Sequence, residues 1–323
     1  MKPLNHNLPW IESPFFNAEL EASDLSKEDK SFVKQFADEG YVTFDPQISD
    51  ELIDKVIREL EPKFKKIEGD DLRIQDAWTF NDNVRRIATM EIVYEKLRLL
   101  YQREPIPFQT LNFPVGTQQN THSDMIHFNS IPQRFMCGVW IAFEDIDANN
   151  GPLHYYPRSH KLPFYDLLDM GIKASDNREK KKAMMTYLDN YETFIQEVVR
   201  TLELKKEILN IKKGQALIWA ANLLHGGEKI KTPGRSRHSQ VTHYYFENCM
   251  YYAPRYSDIA INKIYMTDLV NIETGKKLEN KYFDSVVHRD SKLQFQIQSI
   301  KMLSKISHLF PRSIVDIVRK ALQ

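Results

Sequence analysis

Cysteine, net charge and long apolar runs are scarce or absent in this 323-residue sequence, and each absence excludes a class of protein. Its two cysteines, Cys137 and Cys249, cannot form a disulfide framework and fit a reducing compartment. The 44 basic residues balance 44 acidic ones, so nothing favours nucleic acid as a partner. The first residues lead into no signal core, and no stretch approaches the roughly 18 apolar residues of a spanning helix. We therefore expect a cytoplasmic protein that binds no nucleic acid.

The first 105 residues are predicted to be mostly helical. Ser26 and Ser49 each precede apolar residues at helical spacing, as N-capping residues do, and Gly40 closes the first of these helices. Pro62 is expected to end the second helix, and a third helical pattern covers 87–100. A short strand is predicted at 41–44. We interpret this region as a buttress on a sheet, within a single domain of residues 1–290.

From about residue 106 to 250 the pattern changes to short strands separated by glycine and proline turns. Strands are predicted at 108–113, 118–128, 135–143, 153–156, 216–219 and 240–246. This set predicts an α+β protein with a mainly β core, arranged as a sandwich, a jelly roll or a barrel.

Two further segments are predicted to be helical. One is an insertion at about 162–210, with its helix at 180–204, which would serve as a lid over a site or pack on the outside of the sheet. The other is the amphipathic, basic extension 291–323, which would dock on its own domain or contact a membrane surface or a partner.

The strongest candidate for a functional site is a metal centre formed by His122, Asp124 and His225. Residues two apart in a strand share a face, so His122 and Asp124 can aim an imidazole and a carboxylate at one point. His225 would come from another strand of the sheet. Two imidazoles and one carboxylate leave coordination positions open, which suits non-haem Fe(II) that must hold a cosubstrate and oxygen. Arg235 and Arg237 follow, and a guanidinium grips a carboxylate with two hydrogen bonds.

Several motifs together resemble a known family. They are His122-Ser123-Asp124, Asn150-Gly151-Pro152-Leu153, Pro157-Arg158-Ser159-His160-Lys161, Leu224-His225-Gly226-Gly227 and Arg237-His238-Ser239. The sequence is similar, over about 40–246, to the phytanoyl-CoA dioxygenase-like (PhyH) Fe(II)/2-oxoglutarate oxygenases. One departure is Arg158, where the family commonly has glycine.

The resemblance implies a double-stranded β-helix, a cupin-like jelly roll, with His122, Asp124 and His225 as iron ligands. It implies that Arg237 holds the distal carboxylate of 2-oxoglutarate, with Arg235 as the alternative. It also suggests Asn112 and Thr110, on the strand before the motif, as cosubstrate-binding residues. The activity expected is hydroxylation of an unactivated C–H bond by O2, with release of succinate and CO2. Relatives that halogenate lack the carboxylate ligand, so Asp124 favours hydroxylation.

The remaining histidines and tryptophans near these motifs carry weaker predictions. His127, three residues after Asp124, is expected on the opposite strand face. His243 shares strand parity with Arg237 and is expected to point into the barrel. Trp140 and Trp219 are interpreted as core residues.

Two other functions remain open. A zinc hydrolase also uses two histidines and an acidic ligand, although it leaves Arg237 unexplained. A cupin-like protein could bind a ligand without turnover, although it has no need of three metal ligands. Any substrate is expected to be a small molecule, such as an acyl or sugar-linked compound.

Overall fold

A computed structural model describes residues 7–67, 72–172, 188–283 and 285–290. The predicted extension 291–323 and residues 173–187 of the predicted insertion lie outside these ranges. No helix in the described part of the chain is long and apolar enough to cross a membrane.

The described residues before residue 105 form five α-helices: α1 (Phe16–Ala22), α2 (Lys27–Glu39), α3 (Asp50–Phe64), α4 (Asp82–Ala88) and α5 (Glu91–Tyr101). Ser26 and Ser49 cap α2 and α3 as predicted, each accepting a hydrogen bond from a backbone N–H three residues on. Gly40 ends α2 with a φ of 84°, a conformation that glycine adopts without a Cβ clash. Two boundaries were predicted wrongly. Pro62 lies inside α3, and the third pattern is two helices because the chain breaks at Thr89 and Met90.

A six-stranded antiparallel sheet forms the centre of the fold. Its strands are β1 (Tyr41–Phe44), β2 (Ile74–Gln75), β3 (Pro105–Phe113), β5 (Met136–Ala142), β8 (Ala216–Ala220) and β10 (Ser239–Phe246). They lie in the order β1-β8-β5-β10-β3-β2. We call this sheet the major sheet. The strands predicted at 108–113, 135–143, 216–219 and 240–246 all lie in it.

A three-stranded sheet, the minor sheet, contains β6 (Leu153–Tyr155), β7 (Glu207–Ile208) and β9 (His225–Gly227) in the order β7-β6-β9. Two short pairs complete the strands: β4 (Asn129–Ile131) with β11 (Met250–Tyr252), and β12 (Lys281–Tyr282) with β13 (Ser285–Val286).

The two faces of the major sheet bury different cores. In β5, Val139 and Ile141 pack into a core shared with the N-terminal helices, which confirms that the helices buttress the sheet. Trp140 and Ala142, on the other face, pack with Leu153 of the minor sheet. A strand covered on both faces is apolar at successive positions, as β5 is. The site is built between the two sheets, as is usual for a jelly roll.

The helical part of the insertion that the structure describes is a π-helical turn (Leu188–Glu192) followed by α6 (Thr193–Thr201). Tyr191 and Ile195 pack against Ile126, Tyr156 and Leu224. This segment therefore lies against the outside of the motif-bearing loops, and none of its described residues lines the cavity between the sheets.

Candidate metal centre

His122 and His225 are brought together by a short antiparallel pairing. Each residue donates its backbone N–H to the carbonyl of the other, both at 2.9 Å. Directly opposed residues in an antiparallel pair project their side chains from the same face. The two imidazole rings accordingly lie side by side, with centroids 4.6 Å apart.

Asp124 reaches the same point by a different route from the one predicted. The segment 118–128 was expected to be a strand, but after His122 the chain turns into a 3-10 helix at Asp124–Ile126, N-capped by Ser123. Oδ1 of Asp124 lies 3.7 Å from Nε2 of His122 and 3.9 Å from Nε2 of His225. All three side chains are buried, and each offers one ligand atom within 4.8 Å of the others.

In both histidines Nδ1 bonds a backbone carbonyl, and Nε2 is the atom that could bind a metal ion. Nε2 of His122 lies 3.3 Å from the side-chain amide nitrogen of Gln119, a contact that a metal ion would replace. Nδ1 of His122 lies 2.8 Å from the carbonyl of Asn120, and Nδ1 of His225 lies 2.9 Å from that of Leu223. A carbonyl only accepts, so Nδ1 carries the proton in both rings and Nε2 keeps its lone pair. Such backbone contacts fix the orientation of metal-binding histidines.

Burial keeps both imidazoles neutral, as metal ligands must be. It lowers the pKa of His122 to about 4, with His225 adding to the effect. Burial also lowers the pKa of His225. Burial alone would raise the pKa of Asp124, but the neighbouring His225, His243 and His122 outweigh it and hold that pKa well below its usual range. The carboxyl is therefore ionised at neutral pH.

A cavity of about 280 Å³ opens beside the three ligands, between the two sheets. Arg237 lies in its wall, 1% exposed, with its guanidinium 5.7 Å from the ring of Phe113 and 5.8 Å from that of Trp140. Nε and Nη1 of Arg237 have no hydrogen-bond partner among the described residues. Arg235, in contrast, is partly exposed, pairs with Asp147 at 3.2 Å and lies outside the cavity wall.

Comparisons with known proteins agree with this geometry. A sequence model of the phytanoyl-CoA dioxygenase (PhyH) family matches residues 23–239, more than half of the chain. The chain belongs to the phytanoyl-CoA dioxygenase family. It is 24% identical over 230 residues to the phytanoyl-CoA dioxygenase domain-containing protein 1 homolog of Caenorhabditis elegans, covering 68% of each chain.

The solved structures that resemble this member of the phytanoyl-CoA dioxygenase family include those of two proteins. One is SnoN, a non-heme alpha ketoglutarate dependent epimerase from nogalamycin biosynthesis, at 16% identity and a TM-score of 0.54, covering 85% of this chain and 97% of SnoN. The other is EctD from S. alaskensis with 2-oxoglutarate and 5-hydroxyectoine, at 16% identity and a TM-score of 0.52, covering 75% of this chain and 82% of EctD. The likeness confirms the predicted jelly-roll fold.

The structure places Asn112 and Thr110, which were predicted to bind the cosubstrate, on the face of β3 that points away from the cavity. The cavity face of β3 carries Gln109, Leu111 and Phe113. Alternate residues of a strand face opposite sides, and counting back from Gly116 through the intervening turn gave the wrong face. The Asn112 amide instead donates to Gln240 Oε1, at 3.1 Å, and neither Asn112 nor Thr110 lines the cavity.

His127 was also placed wrongly. Because Asp124–Ile126 is helical, His127 comes round to the cavity wall, where its Nδ1 lies 3.0 Å from Nη1 of Arg255. His243 points into the cavity as predicted, with Nδ1 2.9 Å from Gln109 Oε1. Sequence reasoning missed Arg255, because it comes from a turn beyond the last motif.

Trp219 is buried, as predicted, but it also lines the cavity, where it contacts the candidate metal ligand Asp124. Its indole Nε1–H donates to Oδ2 of Asp124 at 2.8 Å. Strand parity could have identified it, since β8 places Leu217 and Trp219 on the inner face.

Proposed function

We propose that this protein is an Fe(II)- and 2-oxoglutarate-dependent dioxygenase that hydroxylates an unactivated C–H bond of a small molecule. His122, Asp124 and His225 would hold the iron, and Arg237 would bind the distal carboxylate of 2-oxoglutarate. The observation that carries the proposal is a buried His-Asp-His cluster in the same cavity wall as a buried arginine with two unsatisfied donors.

The donor set fits iron. Two neutral imidazoles and one carboxylate on one side of a metal leave positions open on the other, which is the arrangement that non-haem Fe(II) oxygenases use. All three residues line the cavity, so a cosubstrate and oxygen bound in the cavity would lie beside the metal.

The orphaned donors fit 2-oxoglutarate. A buried polar group without a hydrogen-bond partner costs free energy. Nε and Nη1 of Arg237 have no acceptor among the described residues, so a bound ligand with acceptor oxygens would stabilise them. Ser239 Oγ and Trp140 Nε1 are also buried without partners. Burial lowers the pKa of Arg237 to about 10, so the guanidinium stays charged at neutral pH. A carboxylate would satisfy it with two charge-assisted hydrogen bonds.

The surrounding residues would bind and orient the reactants and exclude water. When bound, iron and 2-oxoglutarate supply the oxidising chemistry, in which one oxygen atom of O2 enters the substrate and the other enters succinate as CO2 leaves.

The cavity wall has an apolar part formed by Leu111, Phe113, Trp140 and Val241. This apolar surface would strengthen the pairing of Arg237 with the carboxylate of 2-oxoglutarate. His127, His243 and Gln109 offer polar groups to a substrate.

The alternatives explain the site less well. A zinc hydrolase needs a general base, and Asp124 is the only carboxylate among the described residues of the cavity wall. A binding protein without turnover gives no reason for three buried ligand atoms around one point. A cytoplasmic location and a membrane or partner contact through residues 291–323 stay predictions.

The test is an anaerobic titration of Fe(II) and 2-oxoglutarate into the apo protein, following the weak visible charge-transfer band of the chelate. We expect the band in the wild type and in Arg235→Ala, and a band that needs at least about tenfold more 2-oxoglutarate in Arg237→Ala, because a charge-assisted pair contributes roughly 1.5–3 kcal/mol. Absence of the band from a protein that retains zinc tightly would favour the hydrolase.

A further inference from the structure

The two carboxylate oxygens of Asp124 have different surroundings. Oδ1 faces Nε2 of both histidines, at 3.7 and 3.9 Å. Oδ2 accepts the indole hydrogen bond of Trp219, at 2.8 Å. His243 Nε2 lies 3.6 Å from Oδ2, which is longer than an ordinary hydrogen bond. The indole hydrogen bond therefore fixes Oδ2, and Oδ1 is the oxygen that faces the two histidines.

Gly138 provides the space that the indole occupies. It lies opposite Trp219 in the β5–β8 register. A Cβ built on Gly138 would lie 2.2 Å from Cζ2 of Trp219 and 2.3 Å from Cε2, far inside van der Waals contact. Any side chain at residue 138 would push the indole away. The glycine is needed here for close approach between strands.

We infer that Trp219 is a positioning residue that makes Asp124 a monodentate ligand. Gly138 leaves the space that the Trp219 indole needs for this role. The inference rests on the proposed function. A metal with six coordination positions needs three for the protein, two for the 2-oxoglutarate chelate and one for oxygen. A freely rotating carboxylate could bind through both oxygens and take one of the last three. The indole N–H holds Oδ2 away and keeps that position open.

The first test measures metal binding directly, with Co(II) as the probe. We expect Trp219→Phe, which keeps an aromatic ring but no donor, to weaken Co(II) binding about 10- to 100-fold in calorimetry, as loss of a ligand's hydrogen-bond partner does. The visible Co(II) spectrum should change, reporting a different carboxylate coordination. Gly138→Ala should shift affinity and spectrum in the same direction, and the double variant should be little worse than either single variant.

Trp10→Phe is the matched control, since it also removes a buried indole hydrogen bond, from Nε1 to the Leu100 carbonyl at 2.8 Å, in the N-terminal helical region. We expect its Co(II) affinity and spectrum to match those of the wild type. Folding is checked by circular dichroism, and Gly138→Ala serves if Trp219→Phe does not fold.

The second test follows the chelate. If the carboxylate of Trp219→Phe takes up the open position, the anaerobic Fe(II) complex should need about tenfold more 2-oxoglutarate to develop its charge-transfer band. Unchanged Co(II) affinity and spectrum in both Trp219→Phe and Gly138→Ala would overturn the inference, as would a wild type that binds no Co(II). A wild type that binds Co(II) but shows no chelate band would instead overturn the proposed function, and the Co(II) data would still decide the role of Trp219.

Discussion

At the scale of single residues, His160 couples the stability of this fold to pH. Its imidazole is buried between α2 and the turn at Ser159–Lys161, and its Nε2–H donates to the Ala37 carbonyl at 3.1 Å. Burial lowers the pKa of His160 to about 4, against roughly 6.5 in an unfolded chain. As the pH falls, the unfolded chain therefore takes up this proton first, and stability that is present above about pH 6.5 is lost towards pH 4.

We expect His160→Gln to reduce this pH dependence. Between pH 7.5 and 5.5, one such histidine lowers the free energy of unfolding by about 1 kcal/mol. Urea unfolding of the wild type and of the variant at both pH values measures this change in the free energy of unfolding. The difference in free energy of unfolding between the two proteins at pH 7.5 measures the packing lost in the variant. Only the change of that difference between pH 7.5 and 5.5 measures the effect of protonating His160. An equal pH-dependent loss in both proteins would show that His160 does not contribute.

The identity of the candidate metal ligands could be predicted from sequence more fully than the direction in which neighbouring side chains point. The three ligand candidates could be named because few residue types bind iron and their motifs are recognisable, and the structure brings them to one point. The faces occupied by Asn112 and His127 depend on a turn and on a 3-10 helix, which shift strand parity by one residue. Arg158, the departure from the family's usual glycine, adopts a φ of 69° and pairs with Glu39 at 2.9 Å on the surface.

At the scale of elements, the segment before α6 braces the loop that carries His122. Glu192 is buried, and its Oε2 accepts a hydrogen bond from Asn120 Nδ2 at 2.6 Å. Asn120 is also the residue whose carbonyl accepts the Nδ1–H of His122. The Tyr191 hydroxyl accepts the Ser123 backbone N–H at 3.3 Å. Two side chains of the insertion thus hold residues on both sides of the first ligand.

We predict that Glu192→Ala weakens Mn(II) binding by several-fold, up to about tenfold, because the Asn120 carbonyl would no longer be held against His122. Isothermal titration with Mn(II) measures the affinity. Glu197→Ala, which removes an exposed carboxylate of the adjoining helix α6, is the control and should bind as the wild type does. Equal affinities for the two variants would leave the segment with a packing role only.

Elements with a strong hydrophobic period were predicted well. The capped helices α2 and α3 and the buried strands β5, β8 and β10 lie within a few residues of their predicted positions. The minor sheet was harder, because β7 and β9 have only two and three residues, too few to show a period. The part of the helical insertion at 188–201 was found, but contacts rather than sequence decide that it packs outside the cavity.

At the scale of the whole molecule, the site joins the two sheets. His225 belongs to the minor sheet and pairs with His122, whereas Arg237 leads into β10 of the major sheet and Trp219 lies on β8. A metal ion bound by the histidines and a 2-oxoglutarate that reaches Arg237 would therefore connect the sheets across the cavity. Ligands that bind only the folded state stabilise it by mass action.

This connection predicts a two-step rise in melting temperature, measured by differential scanning fluorimetry without oxygen. A ligand at one hundred times its Kd adds about 2.7 kcal/mol, which is roughly 4 °C for a chain of this length. We expect Mn(II) alone to raise the melting temperature of the wild type, and 2-oxoglutarate to raise it further. Arg237→Ala should keep the first rise and lose most of the second, because its metal ligands are intact, and Arg235→Ala should keep both. A full second rise in Arg237→Ala would show that the cosubstrate does not span the two sheets through this arginine.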